Sequence, residues 1–331
     1  MQETLSQRID FAVIIKVDGA NPNGDPLNEN MPRTMDGGYG NITDVCIKRK
    51  IRDRLMDAGH EIFVQKESNC QDGLPHLKAR WENAASSCKS LGEKIEKTCS
   101  KWIDIRAFGN LAAYGKGDQK EATDESPKPS VDTVPDSTKK TAKSKKKDSK
   151  SDSQSVSIGI RGPVTIRLGK SLEPISISSM QITKSVNGQE PKSKDIKKDK
   201  HYEAPEEIED LSPGNKMSSD RMGMKHWIDQ PVVYVFYGSM HPQPAEKTLF
   251  SDEDALEIQK ALTMLFENDA SSARPAGSMD VLNVIWWEHG CKRGKMSAAK
   301  VHDSLKVNVD GTFNQEELLS GDFIPKIIPG F

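Results

Sequence analysis

The stretch NPNGDPLNENMPRTMDGGYGNITDVCIKRKIRDRL (Asn21–Leu55), with the run IDFAVIIKVD (Ile9–Asp18) before it, decides how the fold begins. The earlier run predicts a strand, because β-branched and other apolar residues alternate loosely with polar ones. Apolar residues then recur at close to helical spacing, which predicts a helix over 42–58 that Asn41 or Thr43 can cap. The chain therefore opens as a strand, a Gly/Asn-rich loop and a helix.

The loop and the helix together are typical of a site for a polyanion. Glycine and asparagine permit backbone conformations that place several N–H donors within a short span. The helix then carries five cations within seven residues: Lys48, Arg49, Lys50, Arg52 and Arg54. Nucleic-acid phosphates require such amides and cations. A solvated helix face is the alternative from composition alone, and the missing GxxxxGK[ST] motif argues against nucleoside triphosphate chemistry.

The composition is that of a polar globular chain with a small negative net charge. Its 331 residues, 35% hydrophobic and 29% charged, allow one large domain or two ordinary ones. A net charge of −2 and a pI of about 6.4 argue against a protein that coats nucleic acid with its whole surface. One basic groove on an acidic body is compatible with these values.

The sequence predicts a cytoplasmic protein without a membrane span. It contains no apolar run of the length that a membrane helix needs, and residues 1–10 lack the basic and apolar regions of a secretory signal. Five cysteines, an odd number in a long chain, are most simply reduced thiols. No CxxC pair and no HExxH motif is present, so no metal or cofactor is predicted.

The rest of the sequence predicts further strands and helices with two polar interruptions. The expected elements are a short strand over 60–65, a polar helical region over 75–101, a short strand and turn over 101–115, two or three strands over 157–186, a β-prone run ending at residue 240, a helix over 251–267 capped by Ser251 with Asp254, and a final strand over 278–289. Segments 116–155 and 187–216 are strongly polar, and the first predicts a disordered insertion because it cannot offset the entropy of ordering. The order of elements predicts a ferredoxin-like α+β core with insertions.

Further cations lie beside aromatic residues. Arg106 and Phe108, two residues apart, would share one face of a strand, where the ring could stack on a base and the guanidinium could hold its phosphate. Arg161 and Arg167, six residues apart, could also share a strand face. Each pattern has an ordinary alternative, with Phe108 in the core and the two arginines on the surface.

Two more segments are candidate contacts. In RMGMKHW, Met222 and Lys225 on a projecting hairpin could wedge between bases, although packed methionines are an equal alternative. Arg274 is held extended by the proline after it, and could contact a nucleic-acid backbone or a neighbouring subunit.

The sequence resembles a known family at several of these segments. The run DFAVIIKVDGANPNGDP (Asp10–Pro26), with MPR and GNITDVCIKRKIRD after it, resembles the N-terminal signature of the backbone subunit of the type I-C CRISPR effector complex, the Cas-seven family in its Csd-type form. The similarity continues through DIRAFG, IGIRGPVTIRLGKSLEPI, ITKS, RMGMKHW, residues 245–279 and IWWEH. It covers most of the chain in the right order.

The resemblance implies an RRM-like palm with an inserted fingers region and a hairpin thumb. The implied boundaries are palm over 1–65, 161–186 and 226–331, fingers over 66–160 with the disordered segment 116–155, and thumb over 187–225. Several copies would stack as a right-handed helical filament along one CRISPR RNA, without a nuclease role, and leave guide segments free to pair with target DNA. The other implied partners are a Cas-five-type subunit, large and small subunits, and a recruited Cas-three helicase-nuclease.

Carried onto this sequence, the resemblance also implies a set of RNA-binding residues. They are Asn21, Asn23, Lys48, Arg49 and Arg52 in the palm groove, Arg106 and Phe108 on the fingers side, Arg161 where the chain re-enters the palm, Met222 and Lys225 at the base of the thumb, together with Arg33 and Arg274. No catalytic residue, cofactor or metal is implied. The long Lys/Ser insertion departs from the family pattern and could add a nonspecific grip on DNA or RNA.

Two other functions stay open. Related backbone subunits of type III systems cut target RNA with a loop aspartate, and Asp25 or Asp36, with Asp18 nearby, would be the residues for metal-dependent cleavage here. Aspartates in such loops more often form turns. A free-standing RRM-type RNA-binding protein is the other alternative, but its RNP1 pattern is missing.

Overall fold

A central antiparallel sheet organises the residues that the computed structural model describes, 3–112, 158–183 and 221–331. The strands are β1 (Ile9–Val17), β2 (Gly24–Asp25), β3 (Met31–Pro32), β4 (Tyr39–Ile42), β5 (Gly109–Ala112), β6 (Ile158–Arg161), β7 (Val164–Ile166), β8 (Gly169–Pro174), β9 (Ile177–Thr183), β10 (Arg221–Ile228), β11 (Val232–Met240), β12 (Met279–Glu288) and β13 (Lys326–Pro329). The helices are α1 (Asp44–Asp57), α2 (Leu77–Ala85), α3 (Leu91–Lys101), α4 (Ile103–Phe108), α5 (Pro242–Thr248), α6 (Asp252–Thr263), α7 (Ala298–Ser304) and α8 (Gln315–Ser320). The predicted insertion at 116–155 and the polar segment at 187–216 lie outside the described residues.

Strand β1 lies inside the sheet, whose hydrogen-bonded order is β13-β12-β1-β11-β8-β4, with β7 also paired to β11. Each of these pairs is antiparallel, and β1 pairs along its whole length with both β11 and β12. Helix α1 follows β1 and helix α6 lies between β11 and β12 in the chain. The structure therefore confirms a mixed helix-and-strand protein built on an antiparallel sheet.

One face of the sheet packs against α1 and α6. The alternate residues Phe11, Val13 and Ile15 of β1 are fully buried in one cluster with Ile51 of α1 and Leu262 of α6. Burying each such side chain contributes about 1.5–3 kcal/mol. This contact fixes the basic helix against the sheet.

Both of these helices begin at side-chain caps, as the sequence predicts. The Thr43 hydroxyl accepts a hydrogen bond from the backbone N–H of Cys46 at the start of α1. At α6 the Ser251 hydroxyl accepts from the N–H of Asp254, whose carboxylate accepts from the N–H of Ser251. Such a cap contributes about 1 kcal/mol, and it fixes the residue at which each helix starts.

The opposite face of the sheet is covered by the C-terminal part of the chain. Ala12 of β1 and Trp287 of β12 are buried against Val301 of α7, Leu305 and Leu318 of α8. Apolar residues thus cover the sheet on both faces, and neither face is an open platform.

Residues 60–65 are irregular, so the strand predicted there is wrong. The backbone N–H groups of Phe63 and Val64 donate to the carboxylate of Asp104 at 2.8 and 3.1 Å, where a strand would use carbonyl acceptors. The Phe63 ring is buried in a second apolar cluster beside Trp102, with ring centroids 4.8 Å apart. A buried carboxylate therefore replaces strand pairing at this point.

Other boundaries also differ from the predictions. Within the described part of the strand and turn predicted over 101–115, residues 103–108 form helix α4 and residues 109–112 are extended. The helical region predicted over 75–101 divides into α2 and α3, four strands lie within 158–183, and β13 follows the strand predicted to be the last. The five cysteines are free thiols, as predicted. Within the described residues, no helix has both the length and the hydrophobicity needed to span a bilayer.

Candidate nucleic-acid interface

Asparagine side chains hold the loop after β1. Asn23 Oδ1 accepts hydrogen bonds from the backbone N–H and the hydroxyl of Thr43, each at 2.9 Å, and so ties the loop to the start of α1. Asn21 is buried, and its Nδ2 donates to the Asn30 carbonyl at 2.7 Å. Its Oδ1 atom has no hydrogen-bond partner in the described part of the chain. Both predicted ligands therefore shape the loop itself.

The cations of α1 are paired with carboxylates of the same chain. The pairs are Lys48–Asp44 (3.0 Å), Arg49–Asp53 (2.7 Å), Lys50–Asp269, Arg52–Asp104 (2.9 Å) and Arg54–Asp57 (3.0 Å). Arg49 also donates to the Val64 carbonyl at 2.5 Å. The positive charge that the sequence concentrates on this helix is thus largely balanced by carboxylates in the fold.

Lys48 and Arg52 nevertheless meet at one partly exposed ring. Lys48 Nζ lies 5.9 Å and Arg52 Cζ lies 5.0 Å from the centroid of Phe108, which ends α4. A cation on a ring face is attracted by about 0.5–1 kcal/mol at an exposed site. The contact orients both cations beside the ring.

Arg161 joins this group through the ribbon of β5 and β6. Gly109, the residue after Phe108, pairs with Arg161 in antiparallel register. Arg161 is exposed and has no carboxylate partner among the described residues. Phe108 and Arg161 line a shallow notch of about 460 Å³ beside the ribbon. The surface formed by Lys48, Arg52, Phe108 and Arg161 is called the basic notch below.

Close packing at Gly162 separates Arg161 from Arg167. A Cβ atom at Gly162 would overlap the backbone of Ala107 and Phe108, so only glycine fits where the chain crosses α4. Arg161 ends β6, which pairs with β5, whereas Arg167 follows β7, which pairs with β11. The prediction that the two arginines share one strand face is therefore wrong.

Arg106 and Phe108 both lie on α4, so the prediction that they share one face of a strand is wrong. Arg106 instead forms a nearly buried ion pair. Its Nε and one terminal nitrogen donate to the two carboxylate oxygens of Asp254 at 3.0 and 2.8 Å. The other terminal nitrogen donates to the carbonyls of Cys99 and Ser100 at 2.8 and 3.1 Å. Four of the five guanidinium N–H donors are thus used inside the protein. Arg106 joins α3, α4 and α6, with little capacity left for a phosphate.

A separate two-stranded ribbon, β9 with β10, carries Lys225. Lys225 Nζ lies 5.9 Å from the centroid of Trp227. Met180 and Met224 on the same ribbon are 54% and 47% exposed, which leaves apolar side chains available to an aromatic base. The side chain of Met222 lies outside the described part of the structure.

Arg33 and Arg274 are paired at the end of the sheet where β1 finishes. Arg33 lies 3.1 Å from Asp25, and Arg274 lies 2.8 Å from Asp269. Burial raises the pKa of Asp269, but the positive charges of Lys50 and Arg274 hold that pKa below its ordinary value. The end of β10 hydrogen-bonds to the chain just after β1, so the base of the ribbon lies at this end too.

Sequence reasoning missed the carboxylates that neutralise the predicted ligands. Asp104 is 52 residues from Arg52, and Asp254 is 148 residues from Arg106, so no local spacing could reveal them. It also missed Lys170, whose Nζ lies 4.3 Å from the ring centroid of an aromatic residue in β4. The i, i+4 spacing within α1 was the one signal that could have predicted pairing.

Comparison with known proteins supplies the family. A family model described as "CRISPR-associated protein Cas7" matches residues 7–320. The chain belongs to the Cas7 family. This confirms the Cas-seven resemblance at the level of the family, while the type I-C subtype stays a prediction.

Individual proteins and solved structures match the chain less fully than the family model does. "CRISPR-associated protein Cas7" of Haloferax volcanii is 31% identical over 126 residues, which cover 36% of this chain and 36% of that protein. The chain thus matches about a third of the length of this curated relative. Two solved structures, titled "CRISPR RNA-guided surveillance complex, pre-nicking" and "CRISPR RNA-guided surveillance complex", are 12% and 11% identical with TM-scores of 0.38 and 0.36. The similarity covers 84% of this chain in both cases, and 77% and 68% of the other two chains.

Proposed function

We propose that this Cas7-family chain is a non-catalytic subunit that binds CRISPR RNA and stacks with further copies as the backbone of a type I-C effector complex. It would present the guide for pairing with target DNA in antiviral defence. The observation that carries the proposal is the basic notch. There Arg161, which is exposed and has no carboxylate partner among the described residues, lies beside the Phe108 ring that Lys48 and Arg52 contact. In RNA-guided recognition base pairing reads the sequence, so the protein needs contacts with the backbone and shape only.

The proposed contact residues fall into two groups, according to how many of their side-chain polar atoms are already hydrogen-bonded within the protein. Direct contacts are assigned to Lys48, Arg52, Phe108, Arg161 and Lys225, and predicted contacts at Arg33, Met222 and Arg274 are retained. Arg52 is included because, among the described residues, its Nε alone is hydrogen-bonded, to Asp104. Asn21, Asn23, Arg49 and Arg106 are assigned as positioning residues, because their side chains hydrogen-bond within the protein.

The palm is proposed to be ferredoxin-like, in the manner of an RRM. The strand order β12-β1-β11-β8, with α1 and α6 as crossovers on one face, supports this. RRM proteins stack bases on the other face of the sheet, but here that face is buried under α7 and α8. RNA would therefore bind elsewhere, which disfavours the free-standing RRM alternative. Fingers over 66–160 and a thumb over 187–225 complete the proposal.

No enzymatic activity is proposed. Asp25, the first residue considered for type III-like cleavage, accepts from the N–H of Leu27 at 3.3 Å and pairs with Arg33, as turn-forming aspartates do. Among the described residues, no three His, Cys, Asp or Glu side chains come together as a metal site. Incubation of bound, labelled RNA with Mg²⁺ or Mn²⁺ tests this. Products that disappear in Asp25→Ala would establish the cleavage alternative.

The proposed partners follow from the same assignment. They are CRISPR RNA, target DNA through guide pairing, further copies of this chain, a Cas-five-type subunit, large and small subunits, and a recruited Cas-three helicase-nuclease, all in the cytoplasm.

The salt dependence of RNA binding tests the basic notch. Each phosphate of a single strand that a cation neutralises adds about 0.7 to the log–log slope, so Lys48→Ala/Arg161→Ala is expected to lower the slope by about 1.4. Neither substitution unpairs a buried charge, because Asp44 is itself 42% exposed. Lys89→Ala/Lys97→Ala removes two exposed charges near α3 and is the matched control. Equal slopes for the notch variant and the wild type would contradict the proposal.

A further inference from the structure

The segment after β12 carries a second group of exposed cations. It reads HGCKRGK (His289–Lys295) and is called the basic loop here. Lys292, Arg293 and Lys295 are all exposed. Among the described residues, Lys292 pairs with Glu246 at 2.6 Å, whereas Arg293 and Lys295 have no carboxylate partner. The loop contains no carboxylate of its own.

Hydrogen bonds hold the basic loop in one conformation. The N–H of Gly290 donates to the side-chain carbonyl of Gln7 at 2.6 Å, and the N–H of Lys295 donates to His289 Nδ1 at 2.8 Å. Gly290 and Gly294 have φ values of 65° and 88°, a region that favours glycine. The cations are therefore presented on an ordered turn.

The charges buried beneath the basic loop cancel. Asp10 is fully buried and accepts from Arg8 at 2.9 Å, from His289 Nε2 at 2.8 Å and from the Ser239 hydroxyl. Since His289 Nδ1 accepts a backbone N–H, its proton lies on Nε2, and burial lowers the pKa of this imidazole. The charges of Arg8 and Asp10 then sum to zero, so this buried group of side chains does not offset the positive charge of the basic loop.

The basic loop lies at the same end of the sheet as Arg161. It leaves β12 at Glu288, which is paired with Ile9, the first residue of β1. The chain that follows Arg161 reaches the same end, because the backbone N–H of His241 donates to the carbonyl of Pro163 at 3.1 Å and the neighbouring Met240 is paired with Ile9. The basic notch and the basic loop therefore lie toward one end of the molecule.

We propose that the basic loop is a second contact for the sugar–phosphate backbone of a nucleic acid. The inference rests on the proposed function and extends it. The loop at Asn21 follows the opposite end of β1, roughly 26 Å away along a strand of nine residues, so the two sites hold different phosphates. Three cations within four residues, with no aromatic or amide side chain among them, suit phosphate contacts that carry no sequence information.

The test compares Arg293→Ala/Lys295→Ala with the wild type and with the Lys89→Ala/Lys97→Ala control. Binding of labelled single-stranded RNA, single-stranded DNA and duplex DNA of equal length is measured by fluorescence anisotropy over a salt series. Removing two cations that neutralise phosphates is expected to lower the log–log slope by about 1.4 for a single strand and about 1.8 for a duplex. A fall with RNA alone assigns the basic loop to the guide, and a fall with either DNA assigns it to the target.

Three outcomes would overturn the inference. Unchanged slopes with all three probes, while Lys48→Ala/Arg161→Ala lowers its slope, would reject the basic loop and leave the proposed function intact. A wild-type protein that binds none of the probes would reject both. Arg293→Glu/Lys295→Glu that binds nucleic acid normally but no longer self-associates in sedimentation would make the loop a protein contact. Thermal melting of each variant checks that it is folded.

Discussion

Replacing Arg106 by alanine separates a structural role from an RNA-binding one. The side chain of Arg106 is 13% exposed and that of Asp254 is 8% exposed, so the pair is nearly buried. Removing the arginine leaves a carboxylate that keeps one hydrogen bond, from the N–H of Ser251. The carbonyls of Cys99 and Ser100 are deprived of their donor at the same time.

The expected cost is large for a single substitution. Removing one partner of a buried pair costs about 3–5 kcal/mol, because the other charge stays buried without compensation. The remaining Ser251 contact places Arg106→Ala toward the lower value, about 3 kcal/mol. Arg106→Lys keeps the charge but not the two-pronged geometry, and we expect an intermediate decrease in stability. Asp254→Asn removes the same pair from the other side.

The assay is urea unfolding of the wild type, the two single variants Arg106→Ala and Asp254→Asn, and the double variant. If Arg106 and Asp254 stabilise the fold as a pair, the decrease in the free energy of unfolding of the double variant should be smaller than the sum of the decreases in the two single variants. RNA binding at temperatures where the variants are folded should keep the wild-type salt slope. Arg106→Ala with unchanged stability and a slope lowered by about 0.7 would refute the reasoning and restore Arg106 as a phosphate ligand.

Two further predictions concern buried polar groups. Burial holds the pKa values of His241, His289 and His302 below 6.5. In mild acid the unfolded chain therefore binds more protons than the folded one. The contribution of these histidines to the free energy of unfolding should be complete above about pH 6.5 and should decrease as the pH falls below it. Urea midpoints that stay constant from pH 7 to pH 5 would contradict this. Tyr234→Phe removes a buried hydroxyl that has no hydrogen-bond partner among the described residues, so it should raise the free energy of unfolding by about 1 kcal/mol. A decrease of that size would reveal a hydrogen bond to the hydroxyl.

Periodicity and capping were sufficient to predict the elements that form the centre of the fold. Strand β1, helix α1 with its cap at Thr43, helix α6 with its cap at Ser251, and strand β12 follow from local patterns of apolar residues and short polar side chains. These elements contact one another through regularly spaced residues, so the spacing of their apolar residues in the sequence matches the period of a strand or a helix.

Long-range contacts decided what the sequence could not predict. The alternating pattern around Arg106 suggested a strand, but the chain forms α4, which ends at Gly109 with a φ of 80°. At residues 60–65 the carboxylate of Asp104 takes the backbone N–H groups that a strand would have used. Asp104 is 41 and 40 residues from Phe63 and Val64, and Asp254, which pairs with Arg106 on α4, is 148 residues away, so these contacts leave no local signal in the sequence.

The candidate site was predicted in pieces. Lys48 and Arg52 were predicted from charge, Phe108 from its position near an arginine, and Arg161 from its spacing to Arg167 and from the family resemblance. The pairing of Gly109 with Arg161 brings these pieces together across a gap of 52 positions, which no local pattern encodes. The sequence also overstated the free charge of α1, because three of its five cations pair with carboxylates of the helix itself and the other two pair with Asp104 and Asp269 from other segments.

Co-expression with a CRISPR array and the other effector subunits, followed by native mass measurement and RNA analysis of what copurifies, tests the central claim most directly. The account predicts a large complex with one discrete short RNA and several copies of this chain, and absence of that RNA in Lys48→Ala/Arg161→Ala but not in Lys89→Ala/Lys97→Ala. A monomer that carries no RNA, or RNA of mixed length, would contradict it.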